Sequence, residues 1–172
     1  MSIARHLKCL YSTIMKSWNE SEVLIDRKSK FQARCCAITS PQEVPVLLQE
    51  LINGNKSVKK ASHQHMYAWR TADIALKDST NSTMVKTKGV AKKHRHSANV
   101  GRQREFKNLQ QDCQDCGESG AGQRLLTLLQ RADIVNVLII VTRWYGGVPL
   151  GSARFRHISS TAAESLKKGG FL

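Results

Sequence analysis

The most constraining feature of the chain is an apolar run that leads directly into large polar and aromatic side chains. Residues 137–141 are uninterrupted apolar sequence, rich in β-branched types, which predicts a strand buried on both faces. The run ends in Arg143, Trp144 and Tyr145, followed by the pair Gly146-Gly147. Glycine permits a sharp turn and close backbone approach. We therefore predict a recognition surface at the end of this strand.

The remaining sequence alternates between strand-like and helix-like patterns. We predict further strands at 22–25, 31–38 and 63–71, and three amphipathic helices at about 41–54, 121–132 and 152–168. The first helix begins at a Ser40-Pro41-Gln42-Glu43 signal, typical of a capping box. The order predicts an α+β two-layer sandwich, with a mixed or antiparallel sheet and the helices on one face.

Length and composition favour one domain, at residues 22–172, after a basic amphipathic segment at residues 1–21. Five cysteines, an odd number, indicate reduced thiols and a cytoplasmic location rather than a disulfide framework. The first 19 residues lack acids and place apolar residues on one helical face, so a mitochondrial presequence is the alternative. No apolar stretch approaches the length of a membrane span.

The positive charge of the chain is concentrated in one segment. The net charge is +14, and residues 84–107 contribute half of it, with eight basic residues against Glu105. This segment is poor in aromatic residues and cannot bury much apolar surface, so we predict a mobile basic insertion at about 78–108. Such a loop attracts polyanions such as RNA or the ribosome without a shaped site.

Several motifs carry a family resemblance. They are Asp26-Arg27-Lys28-Ser29-Lys30-Phe31-Gln32-Ala33, Asp115-Cys116-Gly117-Glu118 leading into Gly120-Ala121-Gly122-Gln123-Arg124-Leu125-Leu126, and Arg143-Trp144-Tyr145-Gly146-Gly147 up to Leu150-Gly151. The strand at 63–70 is also similar to a His-x-x-Tyr-x-x-Arg segment, offset by about a residue. In this order and spacing, over about 23–171 without the basic insertion, they resemble the Impact family.

The resemblance implies a fold like that of a domain in a small-subunit ribosomal protein and in elongation factors. It also implies a non-enzymatic role in translation control, without a cofactor or metal. Eukaryotic members restrain the kinase that phosphorylates initiation factor two during amino-acid starvation, by competing for its ribosome-associated activator. Members are also linked to monomeric actin.

The chain departs from the family pattern at two places. The family's Asp-Asp-Gly-Glu reads Asp115-Cys116-Gly117-Glu118 here, which removes one carboxylate. The family's regulators carry a separate N-terminal domain that helps to bind the activator. Only about twenty residues precede the first motif, and we expect no such domain in this chain.

The candidate residues for binding a partner or nucleic acid lie in or near these motifs. They are Arg143, Trp144, Tyr145, Gly146, Gly147, Arg154, His63 and Glu118. Aromatic rings stack on bases or fill partner pockets, and arginine adds a bidentate fork. The alternative is a structural role, in which Trp144 packs on the final helix and Arg143 pairs with Glu118.

Residues in and near the same motifs suggest three other chemistries. Gly117, Gly120 and Gly122 before a helix could present N–H groups to a phosphate, although the neighbouring acids would repel it. Cys113 and Cys116 could form a zinc site only with the distant His94 and His96. His63 and His65 with Asp115 or Glu118 lack a nucleophile with an identifiable base. We therefore predict a non-enzyme, with a plain RNA- or ribosome-binding module as the alternative function.

Overall fold

The strands of the protein form one antiparallel sheet. The structure is a computed structural model, and it describes residues 16–76 and 104–172. Within these residues the sheet has six strands, which are β1 (Asn19–Glu20), β2 (Leu24–Asp26), β3 (Ser29–Ala37), β4 (His63–Leu76), β5 (Arg104–Gln114) and β6 (Val137–Trp144). Their order is β1-β3-β6-β4-β5, and β2 also pairs with β3.

Four helices accompany the sheet in the described residues. They are α1 (Glu43–Gly54), α2 (Lys56–Lys59), α3 (Ala121–Arg131) and α4 (Ala153–Lys168). The predicted starts and ends of α3 and α4 agree with the structure to within one residue. The α+β class and the antiparallel sheet are confirmed.

Strand β6 lies at the centre of the sheet and is buried on both faces, as its sequence predicts. Val137, Ile139 and Val141 pack into a core formed with α3 and α4, whereas Leu138 and Ile140 pack into a second core formed with α1 and α2. The prediction of helices on one face was therefore wrong in this detail. A strand that is apolar on both faces needs cover on both.

Strand β5 was missed by the sequence analysis. It begins at Arg104, inside the range predicted for the basic insertion, and pairs with β4 over most of its length. Nearly all of its described side chains are exposed, so it shows none of the apolar alternation that identifies a half-buried strand. The rest of the predicted insertion, residues 78–103, lies outside the described residues.

The start of α1 follows the predicted capping signal in part. The Glu43 carboxylate accepts the backbone N–H groups of Thr39 at 2.9 Å and Ser40 at 3.1 Å, and it pairs with Lys16. Burial raises the pKa of Glu43, but Lys16 and Thr39 outweigh this effect and lower it to about 2. The helix begins at Glu43 rather than at Pro41.

Two further predictions concern the N-terminal segment and membrane spans. Most of the N-terminal segment, residues 1–15, lies outside them, so its targeting role stays a prediction. Within 16–76 and 104–172, no helix is long and apolar enough to cross a membrane.

Candidate functional site

The end of β6 sends neighbouring side chains to opposite faces of the sheet. Arg143 lies opposite Phe31 of β3 and His63 of β4, whereas Trp144 lies opposite Lys30 of β3. Successive side chains alternate between the faces of a strand. The predicted recognition residues are therefore divided between a buried side and an open side.

On the buried side, one carboxylate binds two guanidinium groups. Glu118 Oε2 accepts a hydrogen bond from Arg143 Nη1, Glu118 Oε1 lies 2.5 Å from Arg154 Nε, and His63 Nε2 lies 3.5 Å from Glu118 Oε2. We refer to Glu118, Arg143, Arg154 and His63 as the Glu118 network. Arg143 is 5% exposed and Glu118 6%. The Arg143–Glu118 pairing that the structural alternative predicted is confirmed.

Aromatic rings enclose the Arg143 guanidinium. Its central carbon lies 5.4 Å from the ring centroid of Phe31 and 5.5 Å from that of Tyr145. Cations are attracted to the faces of such rings, more strongly where water is excluded. Arg143 therefore connects the buried Glu118 network to Tyr145 at the surface.

The loop that carries Glu118 is closed by Asp115. The Asp115 carboxylate accepts the N–H groups of Gly120 at 2.9 Å and Gly122 at 2.8 Å. A Cβ at Gly122 would come within 2.8 Å of the backbone of Gln114, which explains the glycine there. Because an internal acid occupies these amides at the start of α3, the phosphate-site alternative is not supported.

The residue that departs from the family pattern contacts both histidines of β4. The Cys116 carbonyl lies 3.0 Å from His63 Nδ1, and its Sγ lies 3.8 Å from His65 Nδ1. The contact with His65 lowers the pKa of Cys116, and the thiol in turn raises the pKa of His65. Burial instead raises the pKa of Cys113, and it raises that of Cys36 to about 12.

On the open side, Trp144 and Tyr145 are held by the segment after α1. The Trp144 indole Nε1 donates to the Ser57 carbonyl at 2.9 Å, and the ring packs against the second core. It does not pack on the final helix, so that part of the structural alternative was wrong. The Tyr145 N–H donates to Ser62 Oγ at 3.0 Å, and the residue is 48% exposed.

These two rings line a surface cleft of about 400 Å³, which we call the Trp144 cleft. Its described lining residues are Val23, Lys28, Lys30, Gln32, Ser57, Trp144 and Tyr145. None of them is acidic. Lys28 and Lys30 lie in the first family motif but were not predicted as binding residues, because only the β3–β6 register brings them to Trp144.

Gly146 presses the end of β6 against the turn that carries Lys28. A Cβ at Gly146 would lie 2.1 Å from the carbonyl carbon of Lys28, and the Gly146 N–H donates to Ser29 Oγ at 3.1 Å. Gly147 has nothing within 4 Å of its Cβ position but has a φ of +84°. Gly146 is required because a side chain has no space there, and Gly147 because its positive φ disfavours other residues.

The structure does not assemble the residues of the metal and acid–base alternatives into a site within the described part of the chain. Within the part of the chain that the structure describes, no group of three or more His, Cys, Asp or Glu side chains could hold a metal ion. His94 and His96, which the zinc alternative required, lie outside the described residues. His63 faces Glu118, but that carboxylate is bound by two arginines.

An open antiparallel sheet with packed helices places the protein in the α+β class of domains. Residues 27–166 match the model of the Impact N-terminal domain, and the chain belongs to this family. It is 60% identical over 163 residues to IMPACT family member YDL177C of Saccharomyces cerevisiae, covering 92% of this chain and 95% of that protein. It is 35% identical over 150 residues to Protein IMPACT of Danio rerio, covering 87% of this chain but 37% of that longer protein.

Two solved structures are similar to this chain. The two-domain translational regulator Yih1 is 30% identical with a TM-score of 0.49, covering 88% of this chain and 46% of that one. The crystal structure of a hypothetical protein is 18% identical with a TM-score of 0.54, covering 90% of this chain and 62% of that one. The second match is a likeness of fold alone.

Proposed function

We propose that this protein is a non-enzymatic regulator of translation under stress. It restrains the kinase of initiation factor two by competing for the kinase's ribosome-associated activator, in the cytoplasm. Family membership supports this role, since the Impact resemblance implies it. The geometry around His63 also supports a non-enzymatic role. The Glu118 carboxylate, its candidate acid–base partner, is already bound by Arg143 and Arg154.

The observation that carries the proposal is the division at the end of β6. Arg143 is fixed inside by Glu118, while the next two residues line an open cleft. A rigid buried base that holds aromatic side chains at the surface is the arrangement found at binding hot spots. We assign partner contact to Trp144 and Tyr145, and positioning to Arg143, Arg154, His63, Glu118, Gly146 and Gly147.

Affinity purification from amino-acid-starved cells tests this proposal. We expect the tagged wild-type protein to recover the activator after RNase treatment, and Tyr145→Ala to recover at least about fivefold less. Leu109→Ala, at an equally exposed site on β5, is the matched control. Purified protein should also lower phosphorylation of initiation factor two by the kinase only when the activator is present.

The same purification distinguishes binding to the activator from binding to monomeric actin. Recovery of monomeric actin without the activator would replace the proposed competition with a cytoskeletal role. Equal recovery by wild type and Tyr145→Ala would contradict the assignment of the contact surface. Absence of both proteins and of any effect on the kinase reaction would contradict the proposed function.

A second candidate function, RNA or ribosome binding without kinase regulation, is favoured by the lysines of the Trp144 cleft. It predicts binding to RNA that weakens steeply with salt, because lysine contacts release counterions from phosphates. Fluorescence anisotropy with labelled RNA at 50–200 mM KCl tests this function. Absence of binding at the lowest salt concentration would exclude it.

A further inference from the structure

We propose that the Trp144 cleft binds a nucleotide of single-stranded RNA, with the base on the aromatic rings and the phosphates on Lys28 and Lys30. The inference rests on the second candidate function and deepens it, since it gives that function a place and a ligand chemistry. It requires neither the kinase activator nor the basic insertion.

The lining of the cleft matches the two chemical parts of a nucleotide. Trp144 and Tyr145 supply flat apolar surface, and Lys28 and Lys30 supply cations. The volume of about 400 Å³ lies in the range of small-molecule sites. Stacking tolerates every base, so the cleft is suited to single strands of varied sequence.

The register of the sheet fixes the distance between the two parts. Lys30 and Trp144 are direct partners across β3 and β6, so their side chains leave the same face, with Cβ atoms about 5 Å apart. A base that stacks at Trp144 therefore has its phosphate within reach of the Lys30 ammonium. The indole cannot turn freely, because its Nε1 is bound to the Ser57 carbonyl.

The turn that carries Lys28 gives an independent indication of function. Arg27 and Lys28 form the two-residue connection between β2 and β3, and both have positive φ, at 43° and 65°. Such turns ordinarily contain Asn-Gly, because β-carbons are unfavourable there. Lys28, the turn residue that lines the cleft, holds a long cationic side chain in this strained position beside Gly146, which suggests that its charge at the cleft is worth the strain.

An acidic peptide is the other polyanion that the lysines could attract. Its carboxylates would pair with Lys28 and Lys30, but they would leave the two aromatic faces unfilled. A nucleotide uses the cations and the rings together. The observations therefore favour RNA, and competition by an acidic peptide becomes an outcome of the test.

The test uses the full-length protein and a fluorescein-labelled 12-nucleotide oligouridine, followed by anisotropy at 50–200 mM KCl. We expect Tyr145→Leu to weaken binding about tenfold. Lys28→Gln/Lys30→Gln should make the slope of log K against log salt concentration shallower by about 1.4, at about 0.7 per contact with a single strand. Arg131→Gln/Lys167→Gln removes the same charge at exposed sites on α3 and α4 and should leave the salt slope unchanged.

Photo-crosslinking with 4-thiouridine in the same oligonucleotide locates the contact. We expect the crosslinked peptide to contain Trp144 or Tyr145. If the wild type binds but Tyr145→Leu and the lysine pair behave as wild type, the cleft proposal is overturned while the candidate function stands. If the wild type does not bind at 50 mM KCl, both fall. Equal displacement by a 12-residue polyglutamate peptide would show a general anion site and overturn the nucleotide assignment.

Discussion

Arg143 and Trp144 are neighbours in sequence but belong to two different regions of the molecule. Arg143 enters the Glu118 network, where its buried guanidinium is paired with the buried Glu118 carboxylate. Trp144 enters the Trp144 cleft, whose described lining includes two lysines and no acid. From this contrast we expect the first region to contribute mainly to folding stability and the second mainly to binding.

The reason for the difference is solvation. A buried charge is tolerated only with a partner, and removal of the partner is expensive because the remaining charge has no water. An exposed lysine is solvated whether or not a partner is present, so its loss hardly affects folding. Substitutions on the two sides should therefore separate into effects on stability and effects on binding.

The largest expected effect is on the buried side. Glu118→Gln leaves the Arg143 guanidinium without its counter-charge and should lower the free energy of unfolding by about 3–5 kcal/mol. Urea denaturation measures this change. The control is Glu22→Gln, whose carboxylate is highly exposed beside Lys168, and it should leave the midpoint unchanged. A loss below about 1 kcal/mol for Glu118→Gln would contradict the importance of the network.

The next largest effect lies where the two regions meet. Gly146→Ala places a methyl group against the Lys28 backbone, which must move, and we expect a loss of about 1–3 kcal/mol together with weaker RNA binding. Gly147→Ala has open space and only the strain of its positive φ, so it should be milder. The melting temperatures of both variants, measured by thermal unfolding, give the comparison. A lower stability for Gly147→Ala than for Gly146→Ala would contradict the close packing of Gly146 against the Lys28 backbone.

A smaller effect of opposite sign is expected at the cleft turn. Arg27→Asn/Lys28→Gly supplies residues that tolerate positive φ, and it should stabilise the fold by about 1–2 kcal/mol. The same change should weaken oligouridine binding, since it removes the Lys28 cation from the cleft. Urea denaturation and anisotropy on one sample measure both quantities. A variant that gains stability and keeps full affinity would show that the strained turn has no binding role.

The smallest effect on folding, but a clear chemical one, concerns Cys116. Because His65 lowers the pKa of its thiol, we expect Cys116 to react with iodoacetamide at pH 7 faster than Cys35, Cys36 or Cys113. Peptide mapping by mass spectrometry gives the individual rates. His65→Asn should slow the reaction of Cys116 with iodoacetamide without changing the rates of Cys35, Cys36 and Cys113. Equal rates for Cys113 and Cys116 in the wild type would contradict the pairing.

The sequence predicted most elements because their patterns are local. The apolar run of β6, the amphipathic repeats of α3 and α4 and the acid–glycine loop before α3 are all visible within about fifteen residues. Strand β5 was missed because its pairing partner, β4, supplies the structure that its polar side chains do not reveal. The placement of α1 and α2 on the second face also required knowledge of which core they join.

For the candidate site, the sequence identified the residues at the end of β6 but not their surroundings. It offered the Arg143–Glu118 pair as one alternative, which the structure confirms. The sequence could not show that Lys28 and Lys30 lie beside Trp144. That proximity depends on the register between β3 and β6 and on the close approach of Gly146 to the turn.

By itself, the sequence determined that a doubly buried strand ends in a cation, two aromatic residues and two glycines. It also determined the family, through motifs whose spacing is a property of the chain alone. Only the tertiary structure decided that Arg143 is held inside while Trp144 lines a basic cleft. The physical reason is that alternation along a strand places neighbouring side chains on opposite faces of the sheet. Which residues each side chain then contacts depends on how the other elements pack on that face.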